Sequence, residues 1–266
     1  LKDEKDLLSS VLIKPPVGGY SAGHWSASLT SRWLSGGLIM PFQGDKKVGK
    51  SLLQDAEGKL RDWMLPRVPR RVETYHLTLT TILWSLMIIV FSFLAKYQVH
   101  FLWLVSLMIF LQYITDMLDG AVGRQRNTGL VKWGYYMDHF LDYLFLCSIL
   151  IGYAILLPDH LKYMQFFILA IFGAFMVNSF LSFSATGEFQ IAYMGIGPTE
   201  IRLVFIVVNA LLVICGKTHA VKALPIVLWL ATFGLFVTVY RTQKRIWAID
   251  MEAKGEEKGV KGSAGE

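Results

Sequence analysis

"DMLDGAVGRQRNTGLVKWGYYMDHFLD", residues 116–142, places Asp116, Asp119, Asp138 and Asp142 at the facing ends of two long apolar runs. A charged side chain inside a bilayer costs about 2.5–3.5 kcal/mol even on lenient insertion scales. Four carboxylates in one stretch therefore need a compensating partner. Asp116 and Asp119 are three residues apart, and Asp138 and Asp142 four apart. Either spacing puts a pair on one face of a helix. Gly120, Gly123, Gly129 and Gly134 between them let the chain turn back, so the two helices face each other and the carboxylates converge.

The surrounding sequence identifies the solvent as lipid. Of the 266 residues 54% are hydrophobic and 17% charged, against about 25% charged in an average soluble protein; the mean hydropathy is +0.45. Six apolar runs, at 77–95, 100–119, 133–157, 162–184, 200–216 and 221–240, approach the roughly 20 residues a helix needs to span a bilayer. None alternates as a membrane β-barrel strand would. The expected fold is an all-α polytopic membrane protein of six transmembrane helices plus an N-terminal interfacial amphipathic helix. Cys147 and Cys215 lie inside spans and read as small apolar fillers rather than a disulfide. Lys14, Pro15 and Pro16 interrupt the first apolar stretch, so no cleavable signal peptide is expected there. The chain starts at Leu1, which leaves an upstream domain open.

Lys and Arg are unevenly divided: 22 lie on the side of the termini and of the 120–132 connection, four on the other. The positive-inside rule then predicts both termini and the aspartates at the cytoplasmic face. Residues 1–75 form a separate N-terminal segment, 76–241 the six-helix domain, and 242–266 a charged tail expected to be disordered. The stretch 12–37 is rich in Gly, Ser and Pro and reads as irregular. Between Lys50 and Leu65 the spacing is helical, with Leu52, Leu53, Leu60, Trp63 and Met64 opposed by Asp55, Glu57, Lys59 and Arg61. This helix lies either in the inner leaflet's interface, with "RVPRR" at lipid headgroups, or on the protein's own cytoplasmic surface. "VGKS" at 48–51 lacks the first glycine and spacing of a P-loop, and no nucleic-acid partner is expected.

Converging carboxylates repel unless a cation sits among them. Hard divalent ions, Mg²⁺ or Mn²⁺, prefer oxygen ligands and are commonly held by carboxylates together with substrate phosphates. No His–Cys cluster suggests zinc. Two ions bridged by a carboxylate are the expected cofactor. Arg124, Arg126 and Lys132 share the segment, and acidic ligands beside basic residues suit a metal-bound pyrophosphate.

The residues resemble the CDP-alcohol phosphotransferase pattern D-x2-D-G-x2-A-R-x8-G-x3-D-x3-D. Asp116, Asp119-Gly120, Arg124, Gly134, Asp138 and Asp142 follow in that order. Gly123 stands where the family has Ala, and nine residues rather than eight separate Arg124 from Gly134. The resemblance implies a two-metal site of Asp116, Asp119 and Asp138, with Asp142 contributing, and CDP contacts from Asp119, Gly120, Gly123, Arg124 and Gly134. It further implies Asp142 as the general base for an acceptor hydroxyl that attacks the β-phosphorus and releases CMP. A CDP-linked donor, a lipid substrate and a homodimer are the implied partners.

Two features bear on the branch. His139 follows Asp138, and "GPTE" at 197–200 is similar to a stretch in choline and ethanolamine phosphotransferases, which favours headgroup transfer to diacylglycerol. Arg202 at the start of the fifth span is similar to one in CDP-diacylglycerol-using enzymes that make phosphatidylinositol phosphates, where it would clamp a phosphate. Lys132, His139, Asn178, Glu200 and Arg202 are the candidate substrate contacts. Four of the five also have a plainer reading. Glu200 suits the first turn of a helix, Arg202 a topology anchor, and His139 and Asn178, like Ser182 and Ser184, contacts between helices. A cation transporter is the rival of another class, but it would want carboxylates at the midplane with internal repeats. A polyprenyl transferase would spread its aspartate motifs over distant helices, unlike these 27 residues.

Overall fold

Apolar runs without interior charge have little choice in lipid but to satisfy their own backbone as helices, and each expected span does so. The computed structural model describes residues 46–48, 52–190 and 197–263; the Gly- and Pro-rich stretch 12–37 and the first residues of the Lys50–Leu65 segment lie outside them. After a short strand β1 (Lys46–Val48) come α1 (Gln54–Met64), α2 (Thr74–Leu94), α3 (Leu102–Arg126), α4 (Val131–Leu156) and α5 (Lys162–Thr186). Strand β2 (Glu188–Gln190), α6 (Pro198–Cys215) and α7 (Lys217–Ser263) complete the described chain. Among the described residues six helices are long and apolar enough to cross a membrane. Their outward faces carry exposed Ile82, Leu86, Phe166, Leu181, Trp229 and Phe233. Apolar surface on that scale marks contact with lipid rather than water.

Helix α2 packs along both α3 and α4, α3 meets α6, and α5 meets α4 and α7. The main core is Ile88, Leu102, Val105, Ile109, Phe145 and Ile149, joined by Phe205 and Leu212 of α6. Without a hydrophobic drive between helices in lipid, close approach rests on small residues. A β-carbon on Gly123 would come within 2.8 Å of Thr74 Oγ1, and one on Gly152 would collide with the Ser92 hydroxyl. Glycines on α3 and α4 thus admit opposite ends of α2.

Two expectations need correcting. The turn between the aspartate pairs is shorter than 120–132: α3 continues through Gly120 and Gly123 to Arg126, and the reversal is made at Asn127 (φ 50°) and Gly129 (φ 71°). Asn tolerates the left-handed region and Gly enters it freely. Arg126 does not join a pyrophosphate cluster. Its guanidinium donates to the carbonyls of Val68 (3.3 Å), Pro69 (3.0 Å) and Val72, fastening the α1–α2 connection. From 242 on, the described chain continues as α7 as far as Ser263. Its Asp250 and Lys254 have the i,i+4 spacing that supports an exposed helix.

Helix α1 packs on the bundle. Leu60 and Met64 cover Leu77, Met117, Leu118 and Val122, while Leu52 and Trp63 stay exposed and Arg67 stacks 4.1 Å from the Trp63 ring. The otherwise helical fold also contains β1 paired parallel to β2, with Lys46 opposite Glu188. Arg245 of α7 makes an ion pair with Glu188.

Gly152→Ala is expected to destabilise the protein by about 1–3 kcal/mol, the usual range for overpacking. Thermal unfolding in detergent measures it, and Gly134→Ala, where a β-carbon meets nothing within 4 Å, serves as the tolerant comparison.

Candidate active site

Helix geometry carries Asp116 and Asp119 on the last turns of α3 and Asp138 and Asp142 on the first turns of α4. The chain reverses between them at Asn127–Leu130, and both pack against α2, so the acids meet at one end of the bundle. One oxygen from each of Asp116, Asp138 and Asp142 lies within 4.8 Å of the others. Arg202, in the second turn of α6, faces them. Its Nη2 is 2.9 Å from Asp116 Oδ2 and 3.0 Å from Asp142 Oδ1, and its guanidinium lies 5.9 Å from the centre of the Phe145 ring.

Exposure gives the site a floor and a mouth. The Arg202 side chain is 8% exposed, whereas those of Asp116, Asp142 and Asp138 are 21%, 28% and 32% exposed. The cation is therefore underneath and the acids open outward. Three ionised carboxylates against one guanidinium leave two formal negative charges in excess. Oxygens opposite each other across an octahedral Mg²⁺ are about 4 Å apart, so this all-oxygen, half-buried set has the chemistry and nearly the span to hold a divalent metal.

Asp119 is turned differently. Its residue is 6% exposed, and Oδ2 accepts a 2.7 Å hydrogen bond from Thr78 of α2. Gly120 leaves room for the Arg124 guanidinium, which would lie 3.3 Å from a β-carbon there. The smallness of Gly123 is used by Thr74, while Gly134 adjoins open space. Lys132 is exposed at the start of α4.

The remaining candidates have local partners. His139 Nδ1 is 3.4 Å from Asp138 Oδ2, and its ring packs 4.4 Å from Tyr135 and 5.7 Å from Phe180. Asn178 donates to Thr242 Oγ1 at 3.3 Å, linking α5 to α7. Glu200 accepts from the Gly197 N–H at 2.8 Å and from the Leu53 N–H at 3.0 Å. It thereby caps α6 and ties it to the entry of α1, where Thr199 Oγ1 also donates to Glu57 at 2.9 Å.

Two residues at the site escape the sequence reading, Thr78 and Gln112. Gln112 is fully buried and donates from Nε2 to Asp142 Oδ1 at 3.3 Å. Its signal was the spacing, four residues before Asp116 on one helix face. Thr78 lies 41 residues from Asp119, and no local pattern joins them.

Breaking a buried ion pair by removing one partner typically costs 3–5 kcal/mol. Arg202→Met is expected to lower the unfolding temperature of the protein in EDTA, and Mn²⁺ is expected to recover part of the loss by supplying the missing positive charge. Differential scanning fluorimetry with and without the metal checks both.

The sequence profile of the CDP-alcohol phosphatidyltransferase family matches residues 74–248, from the first turn of α2 into α7. A comparison with curated proteins gave no match. The matched region is well over half of the chain, and the chain belongs to the CDP-alcohol phosphatidyltransferase family.

Proposed function

We propose that this member of the family transfers a substituted phosphate group from a CDP-alcohol to an acceptor hydroxyl, releasing CMP, with Mg²⁺ or Mn²⁺ as cofactor. The observation that carries the reading is the gathering of Asp116, Asp138 and Asp142 around Arg202 at one end of the membrane helices. Asp116, Asp119 and Asp138 would hold the metal, two ions in all, with Asp142 contributing. The ions would neutralise phosphate charge and stabilise CMP as a leaving group.

The protein's own groups supply the rest. Asp142 takes the proton of the acceptor hydroxyl; its Oδ1 is engaged by Arg202 and Gln112, and neither donor reaches Oδ2. The hydroxyl oxygen bonds to the β-phosphorus as the bond to the CMP oxygen breaks. Arg124, exposed above Gly120, is placed to meet the nucleotide's phosphates, and Gly120 keeps the backbone approachable. The excess of Lys and Arg on the side of the termini supports, by the positive-inside rule, a cytoplasmic position for this end of the bundle. There, soluble and lipid substrates can meet.

Headgroup transfer from CDP-choline or CDP-ethanolamine to diacylglycerol is the first reading of the branch, supported by His139 beside Asp138 and by "GPTE". A second reading, phosphatidyl transfer from CDP-diacylglycerol to a soluble alcohol such as inositol phosphate, glycerol phosphate or serine, is favoured by Arg202. A guanidinium at the site, 2.9 Å from Asp116 and 3.0 Å from Asp142, supports that reading because Arg pairs readily with phosphate.

CMP release from CDP-choline, CDP-ethanolamine and CDP-diacylglycerol, each with matched acceptors, tests the reaction in lipid-reconstituted protein. Release is expected with one donor only, to vanish in EDTA, and to fall about 10²–10⁴-fold in Asp142→Asn, the range of a lost general base. No release from any donor, or release indifferent to Asp142, contradicts the proposal.

A further inference from the structure

Gln112 makes a contact that stability alone does not call for. It sits in the membrane-spanning part of α3, is 0% exposed, and offers two donors and a carbonyl acceptor. One donor is used, on Asp142 Oδ1. The carbonyl oxygen Oε1 is buried and meets no hydrogen-bond donor among the described residues. An amide that loses its hydration and recovers only part of its hydrogen bonding is a net burden in an apolar interior. A methionine of similar length would fill the same space without that burden.

The direction of the amide is not arbitrary. A carboxylate is acceptor-only when ionised, so the opposite orientation would set Oε1 against Asp142 Oδ1, two lone-pair oxygens in contact. The N–H donor is therefore held toward the acid. Arg202 reaches the same oxygen from α6 at 3.0 Å. The two donors approach from different helices and together fix the rotation of the Asp142 carboxylate, with Oδ2 left beyond both.

We infer that Gln112 is a positioning residue for the transfer reaction, aiming Asp142 so that its Oδ2 faces the reacting groups. The inference rests on the transferase reading given above. Partners one step removed from a metal or reacting group act by orienting those that touch it, and their loss typically costs 10–100-fold in metal affinity or activity. Residues that only fill space do not act this way.

The test compares wild type with Gln112→Met, and with Gln165→Met as the same change made elsewhere. Gln165 is also buried, but it lines an apolar cavity toward the other end of the bundle with Leu156 and Leu212. Gln112→Met is expected to unfold, in EDTA, at or above the wild-type temperature and to keep its KM for the CDP donor. Its kcat is expected to fall on the order of 10–100-fold, while Gln165→Met keeps wild-type kcat. Undiminished kcat in Gln112→Met overturns the inference. So does a fall in kcat accompanied by a comparable loss of thermal stability, which is the signature of a residue needed only for packing. If wild type releases no CMP from any donor, the transferase reading fails. Mn²⁺ titration then decides the role of Gln112: weaker Mn²⁺ binding at undiminished stability supports orientation of Asp142, and unchanged binding overturns it.

Discussion

Repulsion among Asp116, Asp138 and Asp142 is the constraint around which the rest is arranged. Two unit charges 4 Å apart interact by about 4 kcal/mol at an effective dielectric of 20, and three carboxylates gathered within 4.8 Å contain three such pairs. Arg202 opposes this by bridging two of them from below. Its reach depends on where α6 begins. Pro198 opens that helix, and Glu200 caps it while accepting the Leu53 N–H. The small helix α1, far away in sequence, thereby contributes to the placement of a guanidinium in the site.

A second polar layer holds α6 at another depth. Tyr153 of α4 donates to the Phe205 carbonyl at 3.2 Å and to Asn209 Oδ1 at 3.0 Å, and Asn209 Nδ2 donates to Ser106 of α3 at 3.1 Å. In lipid, packing and interhelical hydrogen bonds replace hydrophobic association. Two turns separate Arg202 from Asn209, so both its tilt and its rotation are constrained. The same economy appears on the other side of the bundle, where Gly123 and Gly152 admit α2 and bring Thr78 to Asp119.

Much of this was legible in the residues. Spans, topology class and the meeting of the aspartates follow from hydropathy and from spacings of three and four, because a helix has a fixed period and lipid forbids most other backbone structure. The candidate site was legible for Asp116, Asp138, Asp142 and Arg202. It was less so for the cations of the connecting segment: Arg126 looked like a phosphate ligand because charge and proximity in sequence say nothing of which carbonyls a side chain will find. The length of α3 was also misjudged, since Gly120 and Gly123 ordinarily argue against helix. Here the close approach of α2 at Thr74 makes the missing side chain of Gly123 an advantage, and Gly120 leaves room for Arg124 of its own helix.

The amino-acid order by itself determined that this chain is a six-span helical membrane protein with a carboxylate cluster at one end, since those properties depend on period, length and apolarity along a single segment. Only the tertiary structure decided the partners of each acid. Thr78, Gln112 and Arg202 reach Asp119, Asp142 and Asp116 from other helices. Such contacts depend on the rotation and depth at which helices pack, and these are set by close approach at glycines and by cross-helix hydrogen bonds that no local pattern encodes.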